Sequence, residues 1–161
     1  MKNKKTIYPV AIIIILVSGL LAWQAVAKQN NHDQVLSQHG ISKVTVYKSP
    51  TCGCCVEHSK YLDKQGFEVE VVKESNMPAI KSKYNIPREM ESCHTAIFGD
   101  YFVEGHVPIE AIDKLLTEKP DIDGIALPDM PAGSPGMPGV KTEPFIIYAL
   151  SNGGISEFMT L

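Results

Sequence analysis

Hydrophobic and polar positions divide the chain into three stretches. The first 27 residues hold 18 apolar ones, with an unbroken run from Val10 to Val17 and a further one from Leu20 to Trp23. Lys28 to Gln38 is polar and has no periodicity. From Lys43 onward, short alternating segments and segments with helical spacing take turns. Val44-Thr45-Val46-Tyr47 is rich in β-formers and runs into Ser49-Pro50-Thr51, a turn with an N-cap candidate. Cys54 to Gln65 predicts a helix closed by Gly66, and Phe67 to Val72 alternates apolar and acidic as a second strand. Asn76 caps a short helix through Tyr84 with Pro78 in its first turn. His94 to Phe98 and Tyr101 to Glu104 form a hairpin-like pair across Gly99-Asp100. Ile109, Ile112, Leu115 and Leu116 share one face of a helix that Pro108 opens and Lys119-Pro120 stops. Beyond it, Pro128 to Gly139 is rich in Pro and Gly. Phe145 to Leu150 and Ile155 to Thr160 then make a second hairpin about Asn152-Gly153-Gly154.

The order β-α-β-α-β-β-α predicts an α/β fold of thioredoxin-like type. Its first two strands are parallel across a helical crossover and its last two are antiparallel. The expected organisation is a leader over 1–27, a polar tether over 28–41, a thioredoxin-like domain over 42–120, and a C-terminal extension over 121–161. That extension contains the Pro/Gly/Met-rich loop and the β-hairpin.

Lys2, Lys4 and Lys5 precede the apolar run, and Ala25-Val26-Ala27 supplies small residues for cleavage. This is the pattern of a secretory signal peptide. The alternative is an uncleaved anchor, since a bilayer needs about 20 apolar residues. Either reading puts the domain outside the cytoplasm, with membrane attachment only through this segment. Net charge is −3 for the whole chain and −6 for residues 28–161, a poor match for phosphate backbones, so nucleic-acid binding is not expected. Only one apolar run approaches a membrane span, which excludes a polytopic membrane protein.

Export changes how the four cysteines are read. In an oxidising compartment an even number usually means disulfides. Yet Cys52, Cys54 and Cys55 lie within four residues, and a bridge inside that cluster closes too small a loop to stabilise much. The cluster sits between a strand and a helix, where free N–H groups favour thiolates. Cys52 and Cys55 have the spacing of a dithiol redox site, and Cys54 is surplus to it. Ser92-Cys93-His94 lies where the third strand begins, a place that a thioredoxin-like fold brings toward the first helix. Four thiolates and an imidazole suit copper(I), zinc or an iron–sulfur cluster. Copper fits best, because adjacent thiolates can bridge several copper(I) ions, and zinc is the alternative. Met130 and Met137 offer soft thioethers that could add to the ligand set or simply pack over the sheet. Met77 and Met90 are read as packing residues and His106 as structural. His58, one turn after the cysteines, could face the site or water. His32 and His39 fall in or near the tether.

Five blocks in order carry a resemblance to a known family. They are Thr51-Cys52-Gly53-Cys54-Cys55, Gly66-Phe67, Ser92-Cys93-His94-Thr95-Ala96, Glu104-Gly105-His106-Val107-Pro108, and the stretch from Met130-Pro131 to Gly136-Met137. Over residues 43–137 the chain resembles the CopG-type copper-resistance proteins, a periplasmic thioredoxin-like family. The resemblance implies export, copper binding through Cys52, Cys54, Cys55 and Cys93, and a part in copper tolerance beside other periplasmic copper-handling or efflux proteins. It extends to His94, Met130 and Met137 as further ligands. The family commonly has tryptophan where His58 stands, histidine where Tyr61 stands, and glycine in place of Asp129. Two functional classes therefore stand side by side. One is a copper-binding protein. The other is an enzyme, either a thiol–disulfide oxidoreductase using Cys52 and Cys55 or a copper oxidoreductase. A structural zinc module is a third.

Overall fold

The computed structural model describes residues 40–161. The expected leader over 1–27, and the tether over 28–41 except for its last two residues, lie outside the described residues. Among those described, no helix is long and apolar enough to cross a membrane.

The fold is mixed α/β. Strand β1 (Lys43–Lys48) buries Val44 and Val46 on one face, as its alternation demands. Helix α1 (Gly53–Lys64) follows, and its N-cap is Cys52, whose sulfur accepts from the Cys55 N–H at 3.3 Å. The turn residues Ser49 and Thr51 precede that cap, so a cysteine takes the place usually held by Ser, Thr, Asp or Asn. Gly66, at φ 89°, turns the chain out of α1 in the left-handed conformation that glycine adopts without strain. Strand β2 (Glu68–Lys73) then pairs parallel with β1. Helix α2 (Met77–Lys83) is capped by Asn76, whose Oδ1 accepts from the Ala79 N–H at 3.2 Å.

A 3₁₀ turn (Arg88–Met90) leads to β3 (His94–Phe98), which runs antiparallel to β1 and to β4 (Tyr101–Gly105). Helix α3 (Ile109–Glu118) has no side-chain cap of its own at Pro108. The Tyr61 hydroxyl on α1 accepts from the Ile109 N–H instead, at 2.8 Å. That bond ties the last turn of α1 to the start of α3.

Strand β5 (Gly124–Leu127) pairs parallel with β4 and is absent from the sequence expectation. It is four residues long and buried throughout, so it shows no alternation. A side chain at Gly124 would collide with the Phe102 carbonyl, so the close approach of β4 requires glycine there. Strands β6 (Ile146–Ser151) and β7 (Gly154–Thr160) form the expected C-terminal hairpin. β6 pairs with β5, and the hairpin thereby continues one seven-stranded sheet in the order β2-β1-β3-β4-β5-β6-β7.

The main core packs α1 and α3 on one face through Leu62, Ile112, Leu115, Val103, Ile125 and Ile147. The opposite face carries a smaller cluster of Ile86, Phe102, Ala126 and Leu150, with Tyr84 and Met90 against it. The packing role expected for Met90 is therefore seen.

Candidate metal centre

Register explains how four cysteines meet. β3 pairs antiparallel with β1, and Lys48 lies opposite His94. The residue before His94 therefore projects beyond the end of β1, over the turn that opens α1. Cys93 reaches Cys52, Cys54 and Cys55 in this way, and the ligand atoms of all four lie within 4.8 Å of one another. Cys52 and Cys55 are joined by a disulfide, and Cys54 and Cys93 are free thiols. The Cys54 sulfur is 3.5 Å from that of Cys52.

Beside the thiols lies a group of histidines. Cys93 Sγ is 3.3 Å from His94 Nδ1 and 3.0 Å from His106 Nε2. His106 Nδ1 donates to the Pro135 carbonyl at 2.6 Å, so in the neutral ring Nε2 is a lone pair aimed at the sulfur. His94 Nε2 in turn lies 3.0 Å from Nδ1 of His58, whose Nε2 is 3.3 Å from the Val107 carbonyl. All three rings are fully buried. Burial pushes the His58 pKa down to about 4, and His106 adds to the effect. Burial also holds His94 well below its ordinary value, reinforced by His58, His106, Lys81 and Lys48. His106 is lowered by burial as well. The rings are neutral at physiological pH and can act as ligands.

The Cys93 thiol moves the other way. Burial, then the neighbouring Cys54, push it up to about 12. A helix N-terminus alone would favour the thiolate, but here desolvation dominates. A soft cation entering the site would displace that proton and supply the missing positive charge.

The backbone around Cys93 is held from behind. Glu104 on β4 is fully buried and accepts from the Ser92 N–H at 2.6 Å and from the Thr95 hydroxyl at 2.7 Å. It also forms an ion pair with the buried Lys81 of α2. Burial raises the Glu104 carboxyl from its ordinary value, and Lys81 opposes that rise. Gly105 beside it, at φ 82°, packs against Ser92 so closely that an added Cβ would lie 2.6 Å from the Ser92 hydroxyl.

The Pro/Gly-rich segment closes over the start of α1. A Cβ at Gly136, at φ 83°, would sit 2.6 Å from the His58 backbone nitrogen and 3.1 Å from the Cys54 carbonyl oxygen. Met137 follows directly and is half-buried, whereas Met130 is exposed. The structure thus brings together the four cysteines and His94, as the sequence led one to expect. It leaves the Met130 side chain at the surface.

Two residues acquire a larger place than the sequence suggested. His106, read as structural, joins Cys93 and His94 in a second group of three ligand atoms within 4.8 Å. His58 faces this group and not water. His106 comes opposite Cys93 by continuation of the β3–β4 register beyond Thr95 and Glu104, and His58 is brought in by the α1 crossover.

Two solved structures match this arrangement of elements. One, copper resistance protein CopG in form 1, is 38% identical with a TM-score of 0.69, the match covering 75% of this chain and 98% of that one. Form 2 of the same protein is 39% identical with a TM-score of 0.69, over 74% of this chain and 97% of that one. The chain belongs to the CopG family. A family profile described as a protein of unknown function, DUF411, matches residues 90–137, which include Cys93, His94 and His106. No curated protein matches. Copper-resistance homologues together with a cluster of four cysteines fit copper binding.

Proposed function

We propose that this CopG-family protein binds copper(I) in an exported compartment, through Cys52, Cys54, Cys55 and Cys93 in their reduced state. His94 completes the ligand set, and His106 joins it. The observation that carries this reading is the convergence of four sulfur atoms within 4.8 Å at one helix start. Soft thiolates select copper(I) or zinc over harder ions. The donor chemistry fits the group, because neutral imidazole lone pairs flank a thiol that has only one proton to offer them. Met137, one residue beyond the Gly136 contact with α1, and Met130 are candidates for further soft donors from the covering segment. Residues 1–27 act as the export signal, or as an anchor, for a thioredoxin-like domain over 42–120 and its extension over 121–161. The acceptor or donor of the metal is another copper-handling or efflux protein of the same compartment.

The test is an anaerobic copper(I) titration of the reduced protein against a competing chelator. Tight binding of more than one equivalent, weakened by Cys→Ser at each of the four positions, is expected. Binding no stronger than that of a variant retaining only Cys52 and Cys55 would remove the proposal. Metal analysis of protein purified without added copper separates copper from a structural zinc.

A second reading is favoured by the Cys52–Cys55 bridge itself: redox activity, either thiol–disulfide exchange or a change in copper oxidation state at the same sulfurs. Reducing the bridge takes two electrons and two protons from an external dithiol and yields two thiols. Insulin reduction that survives loss of Cys54 and Cys93 would favour a dithiol enzyme. Loss of turnover with those two residues would tie the redox chemistry to the metal site.

A further inference from the structure

We propose that His58 is a positioning residue: through a single hydrogen bond it sets the tautomer of His94, leaving Nδ1 bare toward Cys93 and the thiol cluster. The argument is a count of protons. A backbone carbonyl can only accept, so His58 Nε2 must carry the hydrogen in its 3.3 Å bond to the Val107 carbonyl. The neutral His58 ring then has its lone pair on Nδ1. His94 Nε2 lies 3.0 Å from that lone pair and must carry the hydrogen of the contact. His94 Nδ1 is left as a lone pair, 3.3 Å from Cys93 Sγ.

Nothing at the Cys93 end enforces this. The Cys93 thiol has a second acceptor in His106 Nε2, which the Pro135 carbonyl keeps bare and which is the closer of the two at 3.0 Å. With its proton directed there, the sulfur would readily accept from a His94 Nδ1–H. The cluster alone therefore permits the tautomer in which Nδ1 is blocked. His58 excludes it, because that tautomer would set two lone pairs against each other at either His58 Nδ1 or the Val107 carbonyl. A ligating histidine commonly has its other nitrogen held by an acceptor that fixes the ring. Here the acceptor is a second imidazole, itself oriented by the backbone at the end of β4.

The inference rests on the copper reading only for its consequence, and its first test needs no metal. Two-bond ¹H–¹⁵N imidazole correlations of the reduced, metal-free protein at neutral pH report each ring's tautomer. His94 is expected as Nε2–H in the wild type. It should remain so in His58→Asn, whose amide Oδ1 replaces Nδ1 as acceptor, and should switch to Nδ1–H in His58→Phe. Wild-type His94 found as Nδ1–H would overturn the proposal, whether or not either variant folds. So would a tautomer unchanged in folded His58→Phe, the result expected if His58 merely fills space. Copper(I) affinity by chelator competition should fall about 10- to 100-fold in His58→Phe and recover most of that loss in His58→Asn. Equal affinities in the two variants would refute the consequence. If the wild type binds no copper(I), the copper reading fails while the tautomer result stands or falls by itself.

Discussion

At the scale of single residues, the site is built from groups that would be costly to bury alone. Glu104 and Lys81 are both almost wholly inaccessible, and each compensates the other. Lys81→Met would leave the Glu104 carboxylate without its partner and should destabilise the protein by about 3–5 kcal/mol. The double variant with Glu104→Gln should recover part of that loss, read as the urea midpoint. If the single variant costs no more than the double, the pair is not coupled. The histidines impose a pH dependence. His58 has a folded pKa of about 4 against 6.5 unfolded, so between those values the unfolded chain binds the extra proton. Stability from this group is therefore fully present above about pH 6.5 and is lost as pH falls toward 4, on the order of 3 kcal/mol in all. His94 and His106 shift in the same direction. Between pH 7 and pH 5 the wild type should therefore lose more Tm than His58→Asn, which has no titrating group at this position. Parallel curves would contradict it. Cysteines 52, 54, 55 and 93 announced themselves by type and crowding. Of the buried histidines, His94 was legible beside Cys93, but His58 and His106 were not, because a lone histidine has many uses and only contacts decide among them.

Elements place these groups, and their ends matter more than their middles. α1 begins on a cysteine cap, and its first turn is covered by the loop at Gly136. Gly136→Ala would require both a left-handed alanine and a Cβ 2.6 Å from the His58 backbone nitrogen. The loop has to move. A cost of about 1–3 kcal/mol is expected, as for overpacking elsewhere, together with faster proteolysis within 128–139. Unchanged stability and protection would mean that the loop does not bear on α1. The elements with strong periodicity or clear punctuation were legible from sequence: β1, α1 closed by Gly66, α2 capped by Asn76, and α3 with its single apolar face. β5 was not, since a four-residue strand buried on both faces lacks the alternation that identifies a strand. The N-cap of α1 was also hidden, as cysteine is rarely read as a capping residue.

For the molecule as a whole, the sheet order decides how the redox state of the site meets its stability. β1 and β3 are neighbours near one side of the sheet, while the covering loop is strung between β5 and β6 on the other. Closure of the site therefore depends on the full sheet, and the C-terminal hairpin contributes to it by pairing with β5. In the bridged state only Cys54 and Cys93 remain as thiols, whereas reduction offers four. Ligand that binds the folded state alone stabilises it by RT ln(1 + [L]/Kd), about 2.7 kcal/mol at a hundredfold excess over Kd. Copper(I) should therefore raise the Tm of the reduced protein well above that of the reduced, metal-free form. The oxidised protein, kept anaerobic and free of reductant, should gain much less from the same copper(I), held in a chelator buffer. Equal gains in the two states would show that Cys52 and Cys55 contribute little to binding. The site would then have to be rebuilt around Cys54, Cys93 and the histidines. A gain confined to the reduced state would instead make the disulfide the means by which this fold releases or refuses its metal.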